Sequence, residues 1–232
     1  MNAIEICPGV IHTEESYRVY CTLVQGAFLS VLADTGLGKT NLRQYAEAKF
    51  PSPYIVVNTH GHADHVGGNR FFDCAYLSEA DRPLAGPDAG RFISLVPGAV
   101  FDLGDDTARI VSLAGHTYGS CGILLERRRL LLAGDALSPR LLLLGKEACS
   151  PGILKHTLET ALELPFDFYL TSHAPAPFDK TQLETHLKHL DVLDPARITQ
   201  TRSAGPKAWI SRFSENSLRS EFVIGEELFG KL

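Results

Sequence analysis

The chain has no CxxC pair. Its five cysteines, Cys7, Cys21, Cys74, Cys121 and Cys149, are odd in number and far apart. A disulfide framework or a thiolate zinc site shows close, paired spacing. Reduced, buried thiols are therefore expected, with the cytoplasm as the matching compartment. The N-terminal stretch MNAIEICPGV carries an acid where a secretion signal carries basic residues, which adds to the cytoplasmic expectation. An excess of positive charge is also missing. Lys and Arg number 22 against 27 Asp and Glu, a net charge of -5, so no basic footprint for nucleic acid exists. No apolar run approaches the ~18–20 residues of a membrane span. Repeats, low-complexity tracts and long linkers are absent, and so is the GxSxG motif of an activated serine.

What is present is a mixture of short apolar runs and helical patterns. With 232 residues and 44% apolar content, the chain suits one domain with a substantial core. FLSVLAD (28–34), YIVVN (54–58), TARIVSL (107–113), GILLE (122–126), RLLLAGD (129–135) and DFYLTS (167–172) read as strands. TNLRQYAEAKF (40–50), GILKHTLETALEL (152–164) and TQLETHLKHLDVL (181–193) carry helical spacing. Strands and helices mixed along the whole length predict a layered α/β or α+β structure. The stretch DPARITQTRSAGPKAW (194–209) is the most loop-like, so about 194–232 is expected as a C-terminal appendage to the single domain.

DTGLGKT (34–40) sits between a strand and a helix, where a phosphate-binding loop would sit. That motif needs a glycine five positions before the Gly-Lys-Thr, and Ala33 stands there instead. Nucleotide binding is set aside. The residue of interest is Asp34, at the strand's carboxyl end, where α/β proteins collect chemistry.

The densest chemistry lies in NTHGHADHVGGN (58–69). His60 and His62 are two apart, so an extended chain points both the same way, as two ligands of one ion would be. Asp64 continues the spacing, whereas His65 breaks it and faces elsewhere if the chain turns helical. Two ions sharing one loop is one reading, and solvated loop histidines is the other. Further donors stand at other strand ends: His116 in AGHTYGS, Asp135 at the end of RLLLAGD, and His173 in LTSHAP. A carboxylate after an apolar strand, like Asp135, is costly to desolvate without a cation or hydrogen bonds.

THGHADH followed by Gly67-Gly68 resembles the HxHxDH signature of the metallo-β-lactamase fold superfamily, with glyoxalase II-like and lactonase-like hydrolases among its members. Asp34, His116, Asp135 and His173 match its remaining motifs in order, over about residues 15 to 175. The resemblance implies an α+β fold, a four-layer αβ/βα sandwich of two mixed β-sheets flanked by helices, with the site at one edge. It also implies a ligand set of His60, His62 and His116 for one metal, Asp64, His65 and His173 for a second, and Asp135 bridging. Two Zn²⁺ ions are the implied cofactors, with manganese or iron as substitutes. Asp34 would orient a ligand from behind. The expected activity is dinuclear hydrolysis, in which a metal-bridging hydroxide attacks the substrate and Asp64 accepts the proton.

Substrates of similar proteins include thioesters, lactones, β-lactams, phosphodiesters and RNA. The acidic balance argues against nucleic acid, and the Asp64-His65 pair with no secretion signal argues against the common zinc β-lactamases. Lys180, Lys188, Arg197, Arg202 and Lys207 in the tail read as solvated charges or as a glutathione-holding set. The four leucines of RLLLLG (140–145) either line an apolar pocket or fill the core. Tyr118 either reaches a substrate oxygen or packs. The expected substrate is a small ester, thioester or lactone, with no membrane or nucleic-acid partner and a homodimer left open. The alternative is a mononuclear iron enzyme that oxidises persulfides through two histidines and one carboxylate.

Overall fold

A computed structural model describes residues 2–50, 52–87, 90–194, 196, 198–201 and 208–229. Its first sheet takes seven strands in chain order: β1 (Ala3–Cys7), β2 (Val10–Ser16), β3 (Val19–Val24), β4 (Ser30–Ala33), β5 (Tyr54–Val57), β6 (Ala75–Ser78) and β7 (Phe92–Leu95). Helices α1 (Leu42–Lys49) and α2 (Ala63–Val66) fall on either side of β5. The chain then runs through β8 (Val100–Asp102), β9 (Thr107–Ser112), β10 (Cys121–Leu125), β11 (Leu130–Leu132), β12 (Arg140–Leu143) and α3 (Pro151–Glu163). It continues with β13 (Phe168–Leu170), β14 (Phe178–Asp179) and α4 (Lys180–Asp191). It closes with β15 (Thr199–Thr201), β16 (Ala208–Glu215), β17 (Leu218–Gly225) and α5 (Glu226–Phe229).

The first sheet is antiparallel from β1 to β4 and parallel from β4 to β7. The second has the order β14-β13-β11-β10-β9-β8, with one parallel pair, β11 and β13. Both are thus mixed, as expected. Their inner faces share one core, in which Val24, Val31 and Val57 meet Ile110, Ile123 and Leu132. On the outer face of the first sheet, Leu42 and Ala46 of α1 cover Cys21, Leu23 and Leu32. On the outer face of the second, Leu154, Leu158 and Ala161 of α3 and Leu183 of α4 cover Val111, Leu124 and Leu131. The order is helix, sheet, sheet, helix. Each fully buried leucine contributes about 1.5–3 kcal/mol by leaving water.

The helices start where side chains satisfy their free amides. Asn41 accepts from the amides of Arg43 and Gln44, Ser150 from Ile153, and Asp179 from Thr181. Pro151 stands in the first turn of α3, where a missing N–H costs nothing. The loop 34–40 does not wait for a phosphate. It wraps the chain's own Glu15 carboxylate, which accepts from the amides of Leu37 at 3.1 Å and Thr40 at 2.6 Å. All five cysteines are free, and burial pushes the Cys149 thiol up to about 11. Among the described residues no helix is long and apolar enough to cross a membrane.

The C-terminal stretch differs from the expected appendage. β15, β16 and β17 join β12 in a third sheet, where β17 pairs in parallel with β12, Leu142 opposite Val223. Phe222 and Ile224 enter the same core as α3, α4 and the second sheet. Residues 208–215 alternate in burial while 222–225 are all buried, a partial strand pattern masked in the sequence by the glycine and proline just before it. His189 of α4 stacks on Phe222 with centroids 4.3 Å apart. Burial holds His186 and His189 neutral, lowering each to about 4. Of the tail cations, Lys180 donates to the carbonyls of Leu162 and Leu164, and Lys188 pairs with Glu215. Arg197, Arg202 and Lys207 lie outside the described residues.

Phe222→Ala tests this packing. It is expected to lower the unfolding free energy by about 3–5 kcal/mol in urea titration, as for other buried phenylalanines. An unchanged midpoint would mean that the C-terminal hairpin is peripheral after all.

Candidate metal centre

Five strand ends meet at one edge of the sandwich. Asp34 follows β4, His60 and His62 follow β5, His116 follows β9, Asp135 follows β11 and His173 follows β13. His62 is the N-cap of α2 with extended backbone, and α2 carries Asp64 and His65. The change from extended to helical at His62 is what turns His65 away from the direction shared by His60 and His62. All seven donor residues singled out in the sequence come together.

In the first cluster three ring nitrogens converge. His62 Nδ1 lies 3.0 Å from His60 Nε2 and 2.9 Å from His116 Nε2. The opposite nitrogens are committed to the protein. His116 Nδ1 donates to the Leu142 carbonyl at 2.6 Å. His60 Nδ1 faces Thr59 Oγ1 at 3.3 Å, and that hydroxyl gives its own proton to Asp34 Oδ2 at 2.8 Å. His60 Nε2 and His116 Nε2 therefore both present lone pairs inward. A proton on His62 Nδ1 satisfies one of them. A cation at the centre satisfies all three nitrogens at once.

The second cluster is built on buried atoms without partners. His65 Nδ1 donates to Asp34 Oδ2 at 2.8 Å, which leaves Nε2 as the free donor position. That Nε2 makes no hydrogen bond, and neither does Asp135 Oδ1, 3.4 Å away, although both are buried. Asp64 Oδ2 lies 3.7 Å from His65 Nε2 and 3.5 Å from His173 Nε2. Asp135 Oδ2 lies 3.1 Å from His173 Nε2 and 3.8 Å from His116 Nε2, so this carboxylate faces both clusters. Buried orphan atoms of this kind are costly unless an ion completes them. The donor set fits divalent metal, with nitrogen and oxygen donors in three overlapping groups of three.

Electrostatics point the same way. Burial opposes charge on His65, yet Asp135 and Asp34 prevail and push it up to about 10. Burial also opposes charge on Asp135, but His65 and His173 hold it well below the ordinary carboxylate range. His60 and His116 stay neutral because burial outweighs their acid neighbours. The carboxylates thus call for positive charge, and neutral imidazoles stand ready to share it.

Behind the clustered donors stands Asp34, 1% exposed. It accepts from the Thr59 amide and hydroxyl, from His65 Nδ1 and from Ser172 Oγ. It holds φ at 61°, a left-handed conformation rare outside glycine. Every one of its partners carries or flanks a donor of the two clusters.

Asp81 escaped the sequence reading. It is 1% exposed and accepts from the amide of Gly61 at 3.0 Å, the Thr117 hydroxyl at 2.7 Å and the amide of Gly119 at 2.9 Å. It thereby ties the His60–His62 loop to the His116 loop. Gly61 and Gly119 must be glycine here, since a Cβ would lie 2.3 and 2.4 Å from Asp81 atoms. In SEADRPLAG it looks like one more solvated acid, and no spacing marks it.

A cavity of about 460 Å³ opens beside Asp135 and His173. Of the leucine run, Leu142 lines it while Leu141 and Leu143 enter the core, so each expectation holds for alternate residues. Tyr118 is 54% exposed and does not line this cavity.

Asp81→Ala is expected to lower unfolding free energy by about 3 kcal/mol, because charge-assisted bonds to two loops are lost together. Urea titration checks it; an unchanged midpoint would mean that the loops hold each other without Asp81.

The profile of the Metallo-beta-lactamase superfamily matches residues 17–198. The chain is 28% identical over 167 residues to the acyl-coenzyme A thioesterase MBLAC2 of Homo sapiens, covering 53% of this chain and 60% of that protein. It is 34% identical over 109 residues to the hydroxyacylglutathione hydrolase of Erythrobacter litoralis, covering 45% of this chain and 41% of the relative. The matches thus span less than two thirds of these relatives' lengths. The solved metallo-beta-lactamase from Pontibacter korlensis superposes with a TM-score of 0.66 at 19% identity, over 83% of this chain and 99% of that one, which shows the fold. With its profile match extending over most of the sequence, its sandwich and its clustered histidines, the chain belongs to the metallo-beta-lactamase superfamily.

Proposed function

We propose that this protein is a metal-dependent hydrolase that cleaves a small thioester at a dinuclear centre. The observation that carries the reading is the pair of buried, partnerless atoms, His65 Nε2 and Asp135 Oδ1, beside three converging imidazole nitrogens. His60, His62 and His116 would hold one cation, and Asp64, His65 and His173 the second, with Asp135 facing both. A pair of divalent ions there, zinc first and manganese or iron as substitutes, would supply an acidified water and polarise the scissile carbonyl.

The chain's own residues do the rest. In the hydrolysis a C–O bond forms between water oxygen and the acyl carbon, and the C–S bond breaks. Asp64, partly exposed at the second cluster, takes the proton that water gives up and returns it to the departing thiolate. Asp34 keeps the His65 ring oriented throughout. Tyr118, exposed two residues beyond His116, offers its hydroxyl to a substrate oxygen from that side. Esters and lactones undergo the same chemistry; thioesters come first because the two named relatives, an acyl-coenzyme A thioesterase and a hydroxyacylglutathione hydrolase, both bear thioester-cleaving names.

Elemental mass spectrometry of the purified protein is expected to give about two zinc or manganese ions per chain. About one iron per chain, with oxygen uptake on persulfide, would overturn the reading in favour of an iron oxygenase. Asp135→Ala is expected to leave at most one ion, and Asp34→Asn to weaken metal affinity about 10- to 100-fold in chelator competition. Two ions retained in Asp135→Ala would remove Asp135 from the bridging role.

A further inference from the structure

The cavity beside Asp135 and His173 has an uneven lining. Pro139, Leu142, Ala174 and Phe178 make it apolar, and Arg18 and Arg140 are the two arginines that line it. Arg140 lies 3.6 Å from Glu221, a carboxylate of the third sheet. Arg18 is different. Its amide donates to Glu14 and its carbonyl accepts from His173 Nδ1 at 3.3 Å, but its guanidinium has no hydrogen bond or ion pair among the described residues. Two further cavity residues, Ser138 and Thr171, bury hydroxyls that also lack partners.

The backbone that presents Arg18 is strained. Ser16 pairs with Val19 across a two-residue turn whose central residues, Tyr17 and Arg18, have φ of 50° and 62°. Such turns favour Asn-Gly, because both central residues sit in the left-handed region. A tyrosine and an arginine there cost stability, and strain of this kind collects where a side chain must be aimed. The turn is fastened to the site, since the Tyr20 amide donates to the Ser172 carbonyl at 2.8 Å, one residue before His173.

We infer that Arg18 is the specificity-determining residue of this cavity and selects thioesters whose acyl chain ends in a carboxylate. The inference rests on the thioester hydrolase reading above. One guanidinium fork matches one carboxylate. A phosphate dianion draws more than one cation, and Arg140 is committed to Glu221. The apolar wall accommodates the methylenes between the anchored carboxylate and the carbonyl at the metal clusters.

Two thioesters of N-acetylcysteamine test this, one with a succinyl and one with a butanoyl group, which match in chain length and differ in the terminal carboxylate. Their ketone isosteres, with a methylene in place of sulfur, report binding without turnover by calorimetry. The carboxylate ketone is expected to bind about 10- to 100-fold more tightly than the neutral one. That ratio should collapse in Arg18→Gln and be partly kept in Arg18→Lys. Equal binding of the two ketones, or a ratio unchanged in Arg18→Gln, overturns the inference. A binding preference with neither thioester cleaved leaves Arg18 its role and removes thioester hydrolysis. Cleavage of both without preference does the reverse.

Discussion

One buried carboxylate organises the centre. Asp34 draws together the β4 end, the loop after β5, helix α2 and the loop after β13 through a single pair of oxygens. Its charge is desolvated, and four donors aimed at it offset that cost. Because the donors belong to Thr59, His65 and Ser172, each next to or itself a member of the clusters, satisfying Asp34 and placing the imidazoles are the same event. The left-handed backbone at Asp34 is the local cost of aiming it.

Asp81 repeats the device on the other side with backbone amides in place of imidazoles. The first cluster therefore rests on two acids. Asp34 fixes the proton on the Thr59 hydroxyl, and so which nitrogen of His60 faces inward, while Asp81 sets the distance between the His60 and His116 loops. A third contact comes from an unexpected place, the Leu142 carbonyl on β12, which fixes the His116 ring. None of these three partners is itself a donor to the clusters' interiors.

The clustered donors were legible because their chemistry is concentrated. Four donor residues in six positions, followed by an acid or imidazole at later strand ends, make a pattern that local reading can find. The layered fold was legible for the same reason, since apolar runs and helical spacing alternate cleanly through residue 193. What the sequence hid depends on contacts between distant segments. Asp81 is an ordinary acid until Gly61 and Gly119 close on it. The third sheet was hidden because β16 and β17 alternate only partly and follow a glycine- and proline-containing stretch. The place of Arg18 at the cavity is invisible without the fold that forms it.

The pairing of β12 with β17 has a consequence in time. Among the described residues β12 has no other strand neighbour, so the carbonyl that fixes His116 is held in register by residues near position 223. During synthesis from the N-terminus, every proposed ligand through His173 leaves the ribosome about fifty residues before that strand does. The first cluster therefore reaches its final geometry only after residues near position 223 have emerged. A chain stalled before β17 would hold its donors without the register that orients His116.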